Sequence, residues 1–242
     1  MKNLQIAEKQ VLSQGHLLDV VNVWPTIQGE GPDVGTPAVF VRLAGCDLQC
    51  PGCDTDYTTG RTQVPLDNLI ERIRTTALTD RKIDLVVLSG GEPFRQNIVP
   101  LCNKLVYEFG MYVSIESNGT YPLPGEPRFH QGETLPDQVL VVVSPKTAKI
   151  RFGEARIDAY KYIIKAGDVR PEDGLPIHAL DNPADPYIAR PSDKYPREQI
   201  YVQPMDEGDP DRNKANIDAA IRSCMKFGYR MSLQTHKILG LE

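Results

Sequence analysis

The chain has 242 residues, 40% hydrophobic and 24% charged, and its 27 basic and 32 acidic side chains leave a net charge of −5. That length suits one large α/β domain or two small ones, and the charge argues against a nucleic-acid-binding face. No apolar run approaches the roughly 18 residues of a membrane helix, MKNLQIAEKQ is too polar for a signal peptide, and five cysteines without an export signal argue against a disulfide scaffold, so a cytoplasmic protein is expected.

The predicted elements alternate between strand and helix. Leu18 to Val23 is an aliphatic strand leading into Pro25, and Ala38 to Leu43 is a second that ends just before Gly45. Pro65 opens a helix whose Leu66, Leu69, Ile70, Ile73 and Ala77 share one face. Asp84 to Leu88 is a short apolar run suited to a strand buried on both faces of a parallel sheet, and it breaks at Gly90-Gly91. Ile98 to Phe109 marks the next helix, closed by Gly110. Met111–Ile115, Val139–Val143, Tyr160–Ile164 and Gln199–Val202 follow as strands. Ile217, Ala220, Ile221 and Cys224 define the apolar face of a last helix ending at Gly228, before a final strand over Tyr229–Leu233. Such alternation predicts a parallel sheet of about six or seven strands, an incomplete TIM-like barrel whose crossovers thin out after Ile115. Tyr121–Gln138 carries four prolines and Gly167–Glu198 carries six, so both are expected to be irregular insertions in one domain spanning 1–242.

The five cysteines divide by position. Cys102 and Cys224 fall on apolar helix faces and read as small core residues. Cys46, Cys50 and Cys53 lie in the spacing C-x3-C-x2-C, where a strand has just ended, so one loop can wrap one metal centre at the C-terminal edge of the sheet. Structural zinc takes four protein ligands, and every histidine is at least 30 residues from these cysteines. A distant His or Asp54 completing a zinc site remains open, as does a redox pair. A [4Fe-4S] cube on three thiolates, with one iron left for a cofactor, is the favoured reading.

This spacing resembles the signature of radical S-adenosylmethionine (SAM) enzymes, and Ser89-Gly-Gly-Glu-Pro93 resembles their GGEP motif. Standing alone, Gly90-Gly91 would be an ordinary loop punctuator. Thr26-Ile-Gln-Gly-Glu-Gly31, Ala38 to Cys46, Cys53-Asp-Thr55, Ile115-Glu-Ser-Asn-Gly-Thr120, Val143-Ser-Pro-Lys146, Val202-Gln-Pro-Met-Asp206 and Leu233-Gln-Thr-His-Lys237 further resemble the 7-carboxy-7-deazaguanine synthases of the deazapurine (queuosine-type) pathway. The first 17 residues and the Pro-rich segments match poorly. The resemblance implies a radical SAM fold and the rearrangement of 6-carboxy-5,6,7,8-tetrahydropterin to 7-carboxy-7-deazaguanine with loss of ammonia. It also implies a 5′-deoxyadenosyl radical that takes the C6 hydrogen and returns it, a Mg²⁺ ion on the substrate, a flavodoxin- or ferredoxin-type electron donor and a homodimer.

Site residues follow from chemistry beside this resemblance. Gln28 and Glu30, otherwise a solvated turn, suit the guanidine-like edge of a pterin. Arg42 on an apolar strand needs either a structural acid or a substrate carboxylate, and the clamp on substrate is favoured. Thr55 matches the family's Mg²⁺-contacting threonine, with Asp54 assisting or capping a helix. Ser89, Gly90, Gly91, Glu92, Ser117, Ser144, Lys146, Gln203 and Met205 are expected around SAM, the glycine loop and Glu92 meeting its amino group; Met205 has a core reading as well. His236 and the terminal carboxylate of Glu242 are expected at the substrate. Rival readings are a glycyl-radical activating enzyme, a non-catalytic zinc module and a nucleic-acid-binding protein, the last disfavoured by the charge.

Overall fold

A computed structural model describes residues 3–78, 83–123, 134–182 and 187–241. Among these residues, nine strands form one open sheet in the order β3-β1-β2-β4-β5-β6-β7-β8-β9. They are β1 (Leu17–Ile27), β2 (Pro37–Leu43), β3 (Thr62–Pro65), β4 (Leu85–Gly90), β5 (Tyr112–Ser117), β6 (Val139–Val143), β7 (Ala159–Ile164), β8 (Ile200–Pro204) and β9 (Arg230–Met231). From β2 to β9 every neighbouring pair is parallel. The buried apolar runs of β4 and β6 therefore sit where a parallel sheet needs them.

The sheet begins differently from the expectation. β1 runs straight through Pro25 and pairs antiparallel with both β2 and the short β3, which the sequence reading omitted. Pro25 is tolerated because β1 lies near the sheet edge, flanked only by four-residue β3 on its outer side.

Helix α1 (Leu66–Leu78) follows β3 without a loop and buries the five residues of its expected face. Helix α2 (Val99–Asn103) is shorter than expected, because its last turn, Lys104–Glu108, relaxes to π geometry. Among the described residues no α-helix lies between β5 and β8, so the crossovers do thin out. Helix α3 (Pro210–Phe227) starts on Asp209, whose Oδ1 accepts from the Asp211 and Arg212 amides at 3.0 Å, and stops at Gly228, φ 79°.

The expected core face of α3 is corrected. Ala220 is buried as expected, but its buried companions are Asn216, Ala219 and Ser223, while Ile217 and Ile221 are 37% and 46% exposed and Cys224 is half-buried. The reason is polar: Asn216 Oδ1 accepts from the Ala166 amide and its Nδ2 donates to the Met205 carbonyl. Ser223 donates to the Gly174 carbonyl. The helix turns toward loops that need hydrogen bonds. Cys102 is fully buried as expected. The final strand is only Arg230–Met231, and the chain then turns into α4 (Thr235–Ile238).

Candidate active site

β2 and β4 are parallel neighbours, in register from Ala38–Leu85 to Leu43–Gly90, so the cysteine loop and the glycine loop leave the same sheet edge side by side. The Gly91 amide donates to the Leu43 carbonyl at 3.1 Å and the Glu92 amide to the Gly45 carbonyl at 3.0 Å. Gly90 has φ 121°, a conformation that favours glycine. Glu92 departs from its expected place. It is fully buried, and its carboxylate accepts from the Phe94 amide (3.0 Å), the Ser117 hydroxyl (2.9 Å) and the Asn118 amide (2.7 Å). The carboxylate therefore holds the glycine loop to the end of β5 and does not line the cavity. Burial pushes it up to about 7 despite those three donors.

The neighbouring strand ends supply the rest of one cavity of about 630 Å³, a size that suits a small-molecule site. Cys46, Cys50, Cys53, Ser89, Gly90, Gly91, Ser117, Ser144, Lys146, Gln203 and Met205 all line it. Lys146 Nζ donates to the Ser144 carbonyl at 2.9 Å and hydroxyl at 2.5 Å, and burial lowers its pKa. Gln203 is 3% exposed and accepts from Ser232 at 3.2 Å. Gly52 in the cysteine loop leaves room for the Met205 methyl, which a β-carbon there would meet at 2.6 Å.

The other part of the cavity carries the QGEG and QTHK segments, which interlock although 200 residues apart. The Thr235 amide donates to the Gly29 carbonyl at 3.1 Å, and Gln234 Nε2 donates to Glu30 Oε1 at 2.9 Å. Gly29 is required here: a β-carbon would fall 2.0 Å from His236 Nδ1. Gln28 Nε2 donates to Glu116 Oε1 at 3.1 Å, and its Oε1 accepts from the Glu30 amide at 3.2 Å. Arg42 stacks on the Trp24 ring, 4.9 Å from its centroid, and lines the cavity. Among the described residues no carboxylate pairs with it. Asp54 caps no helix; it pairs with Lys237 at 3.0 Å, beside Thr55. Glu242 lies outside the described residues.

Sequence reasoning missed Glu116, Lys161 and Gln234, which line the same cavity. Lys161 and Glu116 each stand alone in an apolar strand, the signal that had singled out Arg42.

The cysteine loop suits a cluster: Cys46, Cys50 and Cys53 all line the cavity from one loop, and each thiolate of a cube takes its own iron. Cys46 Sγ also accepts from the Leu48 amide at 3.5 Å and Asn118 Nδ2 at 3.8 Å, bonds that favour a thiolate. Burial pushes all three thiols up, so their ionisation accompanies metal binding.

Residues 27–120 match the family described as a 4Fe-4S single cluster domain. Over 236 residues the chain is 40% identical to the 7-carboxy-7-deazaguanine synthase of Rhodospirillum rubrum, covering 94% of each. It is 35% identical over 249 residues to that of Rickettsia prowazekii, covering 97% of this chain and 94% of the relative. The crystal structure of QueE from Escherichia coli superposes with a TM-score of 0.63, covering 90% of this chain and 93% of that one; at 24% identity it supports the fold. A thiolate loop and a glycine loop at one edge of an incomplete parallel barrel are the frame of a radical SAM enzyme. Within that class, the identities over nearly full length are decisive: the chain belongs to the 7-carboxy-7-deazaguanine synthase family.

Proposed function

We propose that this protein rearranges 6-carboxy-5,6,7,8-tetrahydropterin to 7-carboxy-7-deazaguanine, releasing ammonia. The observation that carries the reading is a single cavity with three cysteines in one part and Gln28, Glu30, Arg42 and His236 in another. Cys46, Cys50 and Cys53 would hold a [4Fe-4S] cluster, and Ser89, Gly90, Gly91, Ser117, Ser144, Lys146, Gln203 and Met205 would hold SAM; Glu92 shapes their loop. When bound, the reduced cluster and SAM supply a radical able to remove hydrogen from an unactivated carbon.

The chain's own groups do the positioning. Glu30, ionised, accepts N–H donors of the 2-aminopyrimidinone edge, and Gln28 offers it both a donor and an acceptor. Arg42, stacked on Trp24, clamps the substrate carboxylate, and His236 closes over the ring from α4. Thr55 supplies a hard oxygen to Mg²⁺.

A radical SAM enzyme also needs a reductant, and a flavodoxin- or ferredoxin-type donor is the reading here. Residues 1–242 are read as one domain in the cytoplasm; among the described residues no helix is long and apolar enough to cross a membrane. Ile217, Ile221 and Met225, the last 84% exposed, form an apolar stripe on α3 that supports a homodimer. Anaerobic iron and sulfide reconstitution, then assay with the carboxytetrahydropterin, SAM and Mg²⁺, tests the reading. Product without net SAM consumption is expected, and none from Cys50→Ala. An iron-loaded brown enzyme that makes no product, or a colourless zinc protein, would overturn it.

A further inference from the structure

Two carboxylates converge on one buried ammonium in the cavity wall. Lys161, central in β7 and 4% exposed, pairs with Glu30 and, at 3.0 Å, with Glu116 of β5. Its strand neighbours Tyr160 and Tyr162 sit in the hydrophobic core, so Lys161 alone of the three faces the cavity. A buried ion triad of this kind adds little to stability over an apolar side chain of equal volume. Its residues all line the proposed substrate site, which points to a task in recognition.

Each carboxylate in turn fixes an amide. Glu116 accepts from Gln28 Nε2, whose Oε1 is already taken by the Glu30 amide, so the Gln28 side chain has one allowed orientation. Glu30 accepts from Gln234 Nε2. We propose that Lys161 is a positioning residue for substrate recognition: it holds Glu30 and Glu116 together as carboxylates and thereby sets the donor and acceptor order that Gln28 and Glu30 present to the pterin edge. This rests on the reading of the cavity as a pterin site.

The titratable groups facing Glu30 are Lys161, Glu116 and His236, with Lys146 farther along the wall. Burial works to raise the Glu30 carboxyl, but the Lys161 charge and hydrogen bond, then Gln234 and His236, outweigh it and hold the group at about 2. Without the ammonium, two buried like charges would face each other, and the pair would take up a proton. A protonated pair presents a donor where the substrate brings its own N–H groups.

Three variants test the assignment. Lys161→Met should raise KM on the order of 10²-fold, with kcat changed far less. Its infrared spectrum at neutral pH should gain a further protonated-carboxyl carbonyl stretch, seen as a difference from the unmodified enzyme, in which Glu92 already contributes one. Lys161→Arg, which can also bridge two carboxylates, should restore most of the affinity. Lys161→Met combined with Glu116→Gln removes the repulsion and should abolish the new stretch and recover part of the KM loss. Lys161→Met with unchanged KM and no new stretch would overturn the proposal, as would a loss of affinity that neither Arg nor the second substitution relieves. If the unmodified enzyme does not act on the carboxytetrahydropterin, the functional reading fails by itself. The infrared comparison then still decides whether Lys161 keeps the pair ionised.

Discussion

A β-carbon on Gly91 would fall 1.9 Å from the Gly45 carbonyl oxygen. The backbone just before Cys46 and the backbone of the glycine loop thus touch with no side chain between them. Gly45 is constrained in turn, with φ 79° and the Arg95 guanidinium 2.5 Å from where its own β-carbon would lie. Two motifs whose touching glycines, Gly45 and Gly91, are 46 residues apart act as one rigid edge, and a cluster and a cofactor bound to it would keep a fixed separation.

Gly91→Ala should therefore separate the two loops. Backbone cannot yield as a flexible side chain does, so a cost of about 3 kcal/mol is expected, in the range of overpacking. For a chain of this size that lowers Tm by about 6–12 °C. Reconstituted Gly91→Ala should also bind SAM more weakly at full iron content. Thermal unfolding and equilibrium dialysis of SAM check the two effects.

Arg42→Lys keeps the charge and removes both the planar stack on Trp24 and the two-pronged clamp. KM for the carboxytetrahydropterin should rise on the order of 10- to 100-fold, while a pterin lacking the 6-carboxylate should be affected little. Steady-state kinetics with both compounds measures the difference.

Much of this site was legible, and the misses have physical causes. The apolar face of α1 and the limits of β6 came directly from periodicity, because both elements bury what their pattern offers. On α3 the pattern misled: Asn216 and Ser223 are buried for their hydrogen bonds, which hydrophobic spacing cannot register. The clustering of Gln28, Glu30 and His236 in one wall was reached through motif resemblance, but their partner Lys161 lies 131 residues from Glu30. Lys161 carries the signal that singled out Arg42, a lone charge in an apolar strand, but the sequence does not show which carboxylates would meet it. Asp54 as a helix cap failed because no helix starts there and Lys237 arrives from the far end of the chain.

The poorly matched amino-terminal stretch turns out to brace the cysteine loop. Asn3 donates from its backbone to Pro51 at 3.0 Å and from Nδ2 to the Cys50 carbonyl at 3.2 Å. Gln5 bridges the Thr55 carbonyl at 2.8 Å and the Tyr57 amide at 2.7 Å, and the Glu8 amide donates to the Cys46 carbonyl at 2.7 Å. Asn3→Ala with Gln5→Ala should lower Tm by about 2–6 °C, since Asn3 is buried and the Cys50 carbonyl and Tyr57 amide lose their partners. Iron release to a chelator should become several-fold faster, and the loss should be followed by the cluster's visible absorbance under anaerobic conditions.

Glu92 makes stability depend on pH in a direction opposite to that of most carboxylates. Its carboxyl is raised from 4.5 to about 7 in the folded protein, with burial the largest cause. Between those values the folded chain holds a proton that the unfolded chain has lost, so this contribution is full below pH 4.5 and disappears as pH rises through about 7. Glu92→Gln removes the titration. It also turns an amide N–H toward the Asn118 amide, leaving that donor without its acceptor at a cost of about 1–3 kcal/mol. The penalty of the substitution should therefore be largest near the acid end of this window and smaller by about 3 kcal/mol above it. Other titrating groups are common to both proteins and cancel in the difference. Anaerobic urea unfolding of the two proteins across the window measures it, and a penalty that grows as pH rises would show that the buried carboxylate is ionised throughout.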